Sequence, residues 1–143
     1  MRLALEQAQL ARALGEVPVG CVIVKGGQVI GRGYNRRETD KTVLGHAELM
    51  AMQQAEQALG DWRLTGCTLY VTLEPCPMCA GALLNARPEA VVYGATDPVF
   101  GACGGVMNLF EEAFGVRPRL YKGILAEECA GLLRDFFAQL RKK

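Results

Sequence analysis

The sequence predicts an α/β fold with three layers, in which helices cover both faces of a mixed five-stranded sheet. Short apolar segments with strand character alternate with longer segments that repeat apolar residues at helical spacing. Only Gly26 and Gly27 separate the first two strand segments, which is typical of an antiparallel hairpin. Helices separate the later strands, and this arrangement implies parallel neighbours with helices on both faces of the sheet.

The first half of the chain contributes two helices and a hairpin. Leu3, Leu10 and Leu14 belong to a helical repeat that Gly15 ends. A nearly continuous apolar run then predicts a strand that is covered on both faces. The predicted elements are a helix over 2–14, strands over 17–25 and 28–34, a polar loop over 35–45 and a helix over 47–59.

The second half alternates strands and helices. Leu69, Val71 and Leu73 alternate with polar residues, as in a strand, and Pro88 ends the helix that follows. The last helix carries apolar residues at helical spacing and is expected to pack on the sheet. The predicted elements are strands over 67–73, 90–93 and 119–122, helices over 76–87, 108–114 and 127–142, and a Gly-rich loop over 97–105.

Composition indicates one domain, residues 1–143, in a reducing cytoplasmic setting. Half of the residues are apolar, and no linker, repeat or low-complexity segment interrupts them. The six cysteines are dispersed through apolar segments, and Cys21, Cys67 and Cys129 are expected in the core. No apolar run reaches the ~18 residues of a membrane span. The N-terminal segment is expected to form an amphipathic helix and not a signal peptide. The net charge of +1 predicts no global basic field, so any contact with nucleic acid is local.

Two short motifs carry the chemistry. His46-Ala47-Glu48 contains the only histidine of the chain, and Pro75-Cys76-Pro77-Met78-Cys79 follows about thirty residues later. The pattern offers one imidazole and two thiolates to a Zn²⁺ ion, which leaves a fourth position open for water, as in catalytic zinc sites. It is also the signature of zinc-dependent nucleobase deaminases.

The predicted elements place these residues at helix N-termini. His46 precedes the second helix, and Cys76 and Cys79 lie in the first turn of the third helix, on one face. The positive end of a helix dipole favours a thiolate. Glu48 is not needed as a ligand, so it is free to accept a proton from zinc-activated water and pass it on.

Alternatives exist for each motif taken alone. A single Cys-x-x-Cys is often a redox pair or half of a structural zinc site, and Cys67 or Cys103 could provide a fourth ligand. Neither cysteine lies at motif spacing. The combined pattern, with strand and helix on both sides, favours the catalytic site.

Longer stretches of the chain resemble the bacterial tRNA adenosine deaminases, members of the cytidine deaminase superfamily. They include Glu16–Gly20 (EVPVG), Gly33-Tyr34-Asn35, Thr72–Ala82 (TLEPCPMCAGA) and Asp135-Phe136-Phe137. The resemblance implies a cytidine-deaminase-like fold, a homodimer, and conversion of adenosine to inosine at the wobble position of a tRNA anticodon loop.

The same resemblance implies roles for individual residues. Zn²⁺ is bound by His46, Cys76 and Cys79, and Glu48 is the proton shuttle. The residues expected at the substrate are Asn35 and the backbone of Ala47 at the base, Val19 and Leu73 in the pocket wall, and Asp97 near a flanking nucleotide.

Two other functions are compatible with these motifs. A deaminase of a free purine such as guanine needs a closed pocket, for which Phe100 and the aromatic residues of the last helix could form a lid. A catalytically silent zinc scaffold that only binds RNA would not need Glu48.

Relative to the family, the chain has an uncharged stretch at Pro98–Gly105 and lacks the usual Asn-His before the last strand, where Phe114–Pro118 stands.

Overall fold

Helices and strands alternate along residues 1–142, the part of the chain that the computed structural model describes; Lys143, the last residue of the predicted domain, lies outside it. The elements agree closely with those expected. They are α1 (Arg2–Ala13), β1 (Gly20–Lys25), β2 (Gln28–Tyr34), α2 (Ala47–Leu59), β3 (Thr68–Leu73), α3 (Pro77–Ala86), β4 (Ala90–Ala95), β5 (Arg119–Lys122) and α4 (Ala126–Arg141), with a 3₁₀ turn at Leu109–Glu111.

The sheet is mixed, with the strand order β2-β1-β3-β4-β5. Strand β1 lies between β2 and β3 and is antiparallel to both, whereas β4 is parallel to β3 and β5 is parallel to β4. Strands β2, β3 and β4 therefore point in the same direction. Their carboxyl ends meet at one edge of the sheet, together with the start of β1.

Helices cover both faces of the sheet, which confirms the predicted three layers. On one face, α2 packs on β1 and β2 and also contacts α3. On the other face, α1 packs on β1 and β2, and α4 packs on β3 and β4. Fully buried residues on the α2–α3 side form the main core, among them Ile23, Leu69, Val71, Leu83 and Val91.

Three boundaries differ from the sequence prediction for identifiable reasons. Strand β1 begins at Gly20 instead of Val17, because Pro18 has no N–H to donate and Val19 N–H bonds the Val17 carbonyl. Strand β4 continues to Ala95, which pairs with Leu73. The helix expected over 108–114 is only a single 3₁₀ turn, capped by the Asn108 side chain, which accepts a hydrogen bond from Phe110 N–H.

The cysteines outside the predicted metal site behave as core residues. Cys21, Cys67 and Cys129 are buried, and no disulfide joins any pair of cysteines within residues 1–142. Of the helices described, none is both long enough and apolar enough to cross a membrane.

Glycines allow the helices to approach the sheet closely. A Cβ atom on Gly33 of β2 would lie 2.3 Å from the Ala47 carbonyl oxygen and 2.8 Å from the Ala51 nitrogen. Both of these atoms belong to the backbone of α2 and cannot rotate away. The spacing between β2 and α2, and with it the position of the α2 N-terminus, therefore requires glycine at this point of the strand.

Gly33→Ala is expected to destabilise the protein by about 3 kcal/mol, because the added methyl group must push α2 away from β2. Gly131→Ala in α4 is the matched control, since its Cβ would meet only the end of the Arg134 side chain at 3.6 Å. This control should be neutral or stabilising by up to about 1 kcal/mol. Urea unfolding curves measure both values, and equal stabilities for the two variants would contradict the packing argument.

Candidate metal centre and active site

The residues of the two motifs meet at the carboxyl edge of the sheet. His46 is the N-cap of α2, and Cys76 is the N-cap of α3, with Cys79 in the first turn of that helix. His46 Nδ1 lies 3.7 Å from Cys76 Sγ and 3.5 Å from Cys79 Sγ. The ligand atoms of the three residues all lie within 4.8 Å of one another.

These distances match the requirements of a tetrahedral zinc ion. Zn–N bonds of ~2.1 Å and Zn–S bonds of ~2.3 Å at tetrahedral angles place nitrogen and sulfur about 3.6 Å apart. One imidazole and two thiolates are also ligands that zinc prefers, and three protein ligands leave a coordination position open. The His46, Cys76 and Cys79 side chains therefore form a candidate metal-binding group that fits Zn²⁺.

Hydrogen bonds shift the pKa values of the two thiols in opposite directions. A hydrogen bond from Cys79 and the neighbouring His46 together lower the pKa of Cys76 to about 4, against the opposing effect of burial. The pKa of Cys79 is raised, first by the hydrogen bond that it shares with Cys76 and second by burial. Pro77 occupies the first position of α3, where its missing N–H leaves no hydrogen bond unmade.

Glu48 lies beside the metal-binding group without belonging to it. It occupies the first turn of α2 and is buried, with 4% of its surface exposed. Burial is the main reason that the pKa of Glu48 rises to about 7, because desolvation disfavours the charged carboxylate. A carboxyl group in this state can accept and donate a proton near neutral pH.

A cavity of about 690 Å³ opens at the metal-binding group, within the range of small-molecule sites. His46, Cys76 and Glu48 line it. The structure also places around this cavity every residue that was predicted at the substrate: Val19, Asn35, Ala47, Leu73 and Asp97. Four of them lie at the ends of four different strands: Val19 precedes β1, Asn35 follows β2, Leu73 ends β3 and Asp97 follows β4. The cavity therefore exists only because these strand ends meet at one edge.

Asn35 is held in place by the backbone around it. Its side-chain N–H donates to the Val17 carbonyl at 3.2 Å, and its oxygen accepts from Arg37 N–H at 3.1 Å. A side-chain amide has two N–H groups, so one donor is left for a further partner. The amide is thus oriented before any ligand binds.

Glu74 is a buried carboxylate that the sequence analysis did not single out. It accepts hydrogen bonds from the backbone N–H groups of Asp97, Cys103 and Gly105 at 2.9, 2.9 and 2.7 Å. Gly101 and Gly105 leave room for it, because a Cβ atom at either position would lie less than 3 Å from the carboxylate. Glu74 therefore organises the loop over residues 97–105, which forms one side of the cavity.

Glu16 has the same role on a second loop. It is equally buried, and it accepts from the backbone N–H groups of Glu38 and Thr39 at 3.3 and 2.6 Å. The loop over residues 36–45 leads directly to His46. Both glutamates stand among apolar residues and a proline, in EVPVG and TLEPC, and an acidic residue in such a stretch was the available signal for a buried structural role.

Comparison with known proteins assigns this chain to one class, the deaminases. A family model for MafB19-like deaminases matches residues 1–141. A tRNA-specific adenosine deaminase from Bacillus subtilis is 51% identical over 144 aligned residues, which cover 100% of this chain and 89% of that protein.

Solved structures give the same result. The structure of a tRNA:A34 deaminase, which performs A-to-I editing at the wobble position of transfer RNA, has a TM-score of 0.87 at 43% identity, with 92% of this chain and 96% of the other covered. A guanine deaminase from Nitrosomonas europaea has a TM-score of 0.84 at 23% identity, over 96% of this chain and 82% of the other, and shows the shared fold alone.

The fold is therefore that of the cytidine-deaminase-like enzymes, as predicted. Within this class, the chain belongs to the family of bacterial tRNA-specific adenosine deaminases, to which the full-length identity with the Bacillus subtilis protein assigns it.

Glu74→Gln is expected to destabilise the protein by about 1–3 kcal/mol, because the amide NH₂ group would face backbone donors that it cannot satisfy. The less costly orientation keeps the amide oxygen on Cys103 and Gly105 and turns the NH₂ group to Asp97, so hydrogen exchange should accelerate first at the Asp97 amide. Glu16→Gln is the matched control and should accelerate exchange at Glu38 or Thr39 instead. Unchanged exchange at all three amides, Asp97, Cys103 and Gly105, in Glu74→Gln would show that the carboxylate does not hold this loop.

Proposed function

We propose that the protein catalyses the hydrolytic deamination of adenosine to inosine at the wobble position of a tRNA anticodon. The observation that carries the proposal is the 51% identity over the whole chain with a tRNA-specific adenosine deaminase. The site supports it independently, because a candidate metal-binding group and a buried carboxyl group lie together in one open cavity.

The proposed cofactor is Zn²⁺, with His46, Cys76 and Cys79 as its ligands. Their separations of 3.5 and 3.7 Å suit tetrahedral coordination. When bound, zinc supplies a Lewis acid that makes water a nucleophile at neutral pH.

Glu48 is the proposed proton shuttle. In the overall reaction, the oxygen of water forms a bond to C6 of adenine and the exocyclic C–N bond breaks, releasing ammonia. The Glu48 carboxylate accepts one proton from the attacking water and delivers it to the ring nitrogen N1. It then accepts the second proton of the same water and transfers it to the departing amino group, which leaves as ammonia. Burial excludes bulk water from this carboxyl group, so the protons pass between substrate and enzyme.

The base is proposed to lie between Val19 and Leu73, with the Asn35 amide and the Ala47 backbone as hydrogen-bonding partners. The free N–H of Asn35, which the loop holds in orientation, supports this placement. Asp97 is placed near a flanking nucleotide because it lies at the start of the 97–105 loop, which borders the same cavity.

The proposed partner is a tRNA anticodon loop, in which the target base is already unpaired. The proposed location is the cytoplasm, because the cysteines are dispersed and unpaired within residues 1–142. Residues 1–143 are proposed to form one domain, because the described residues share a single sheet and one main core.

A homodimer is also proposed. A second hollow of about 740 Å³ lies between α2 and α3 and is bordered by large apolar side chains that are about half exposed. Exposed apolar surface of this extent is typical of protein–protein interfaces. The residues concerned are Leu44, Trp62, Phe114 and Val116.

The substrate is identified by incubating the protein with a transcribed tRNA that carries A34, and in parallel with free guanine, adenosine and cytidine. Inosine is expected at position 34 of the tRNA, with far slower reaction of the free compounds. Glu48→Gln should lower kcat by about 10²- to 10⁴-fold, because it removes the proton shuttle. A tRNA without inosine would contradict the proposed function, and full activity of Glu48→Gln would contradict the mechanism.

Cys79→Ser is expected to lose bound zinc and deaminase activity together, since serine does not replace a thiolate ligand. The control is Cys129→Ala, which changes a buried cysteine of α4 that lies outside the metal-binding group. Zinc is measured by elemental analysis of the purified proteins. Normal zinc content in Cys79→Ser would remove this residue from the ligand set.

A further inference from the structure

An exposed aromatic side chain stands at the rim of the cavity. Phe100 is 64% exposed, yet it lines the same cavity as His46 and Glu48. Exposing a phenylalanine forgoes much of the free energy that burial of its ring would contribute. Its neighbour Val99 is 71% exposed, and Phe137 of α4, which lines the cavity too, is 39% exposed. The apolar patch at this rim, formed by Val99, Phe100 and Phe137, is therefore a candidate contact surface for a ligand.

The backbone around Phe100 is fixed. The Asp97 carboxylate accepts hydrogen bonds from the N–H groups of Val99 and Phe100 at 2.9 and 3.1 Å. The Asp97 carbonyl accepts from Gly101 N–H at 2.9 Å, and Asp97 N–H donates to Glu74. A loop held in this way presents a fixed surface, which does not suit the lid that a free-purine deaminase would need.

An aromatic ring at the rim suits one type of ligand, a nucleobase next to the target base. A base that enters the cavity loses stacking with its neighbours in the strand, and aromatic side chains restore such stacking without regard to base identity. Arg37 also lines the cavity, and it takes part in none of the ion pairs found in residues 1–142, unlike Arg36, which binds Asp40. A cation and an exposed aromatic ring that line the same cavity are a usual combination at single-stranded nucleic-acid sites.

We propose that Phe100 is the stacking platform for the nucleotide that flanks the edited adenosine. The inference rests on the proposed function and adds a specificity-determining residue to it. Because the flanking base stacks equally in the ground state and in the transition state, Phe100 contributes to RNA binding and leaves the chemical step unchanged. A free purine inside the cavity gains nothing from the ring at the rim.

Steady-state kinetics on an anticodon stem-loop with A34 test the proposal. Phe100→Ala is expected to raise KM by about 5- to 150-fold with little change in kcat, the range measured for loss of one base–aromatic stack. Phe100→Leu should resemble Phe100→Ala, because it keeps apolar surface without an aromatic face. Phe100→Trp should keep the wild-type KM, because it retains an aromatic face. Val106→Ala, at an exposed apolar residue that does not line the cavity, is the control and should stay within about twofold of wild type.

A spectroscopic measurement separates stacking from a structural effect. Two stem-loops carry the fluorescent base 2-aminopurine at position 33 or position 35, next to A34. For one of the two stem-loops, saturating wild-type protein should quench the fluorescence more than saturating Phe100→Leu does. Phe100→Trp should quench it as much as the wild type, because it keeps an aromatic face.

The outcomes distinguish the two levels of the proposal. If the wild-type protein forms no inosine in the stem-loop or in tRNA, the proposed function fails and this inference fails with it. If the wild type edits the RNA and Phe100→Leu matches Phe100→Trp in KM and in quenching, only the role of Phe100 is overturned.

Discussion

The meeting of two helix N-termini at one edge of the sheet is the constraint on which the rest of this protein depends. His46 ends the loop before α2, and Cys76 ends the connection before α3, so both ligand positions are set by the packing of these helices. Strand β1 lies between β2 and β3 and runs against both, which makes the ends of β2 and β3 point to the same edge. The backbone contact of α2 with Gly33 then places His46 within reach of the two sulfurs.

The loops that complete the cavity are held by buried charge. Glu16 and Glu74 each accept backbone N–H groups of a loop that would otherwise have unsatisfied donors. Burying a carboxylate is costly unless hydrogen bonds compensate it, so each loop and its glutamate stabilise one another. The cavity walls are consequently preformed, and little ordering remains to be done when a substrate binds. Such preorganisation is what an enzyme needs to stabilise a transition state.

The floor and the rim of the cavity differ in the residues that line them. At its floor, Glu48 and Cys79 of the candidate metal-binding group are buried, whereas His46 and Cys76 are half-buried. Burial of Glu48 favours proton transfer between fixed groups. At its rim, exposed apolar side chains and Arg37 line the cavity, where a ligand longer than a single nucleobase can reach them. An open rim above a preformed cavity floor agrees with an RNA substrate, whose unpaired nucleotide enters while its neighbours stay outside.

The sequence by itself determined the family, and it indicated the candidate metal-binding group and every element type except the helix expected over 108–114, because these depend on local periodicity and on residue types at fixed spacing. Strand β2 and strand β5 match their predicted limits, and His46, Cys76 and Cys79 were recognised from spacing alone. The tertiary structure decided the strand order, which brings Asn35, Leu73 and Asp97 to one cavity from distant positions. It alone revealed the role of Glu74, because its three hydrogen-bond donors lie 23 to 31 residues away, beyond the range of any local pattern.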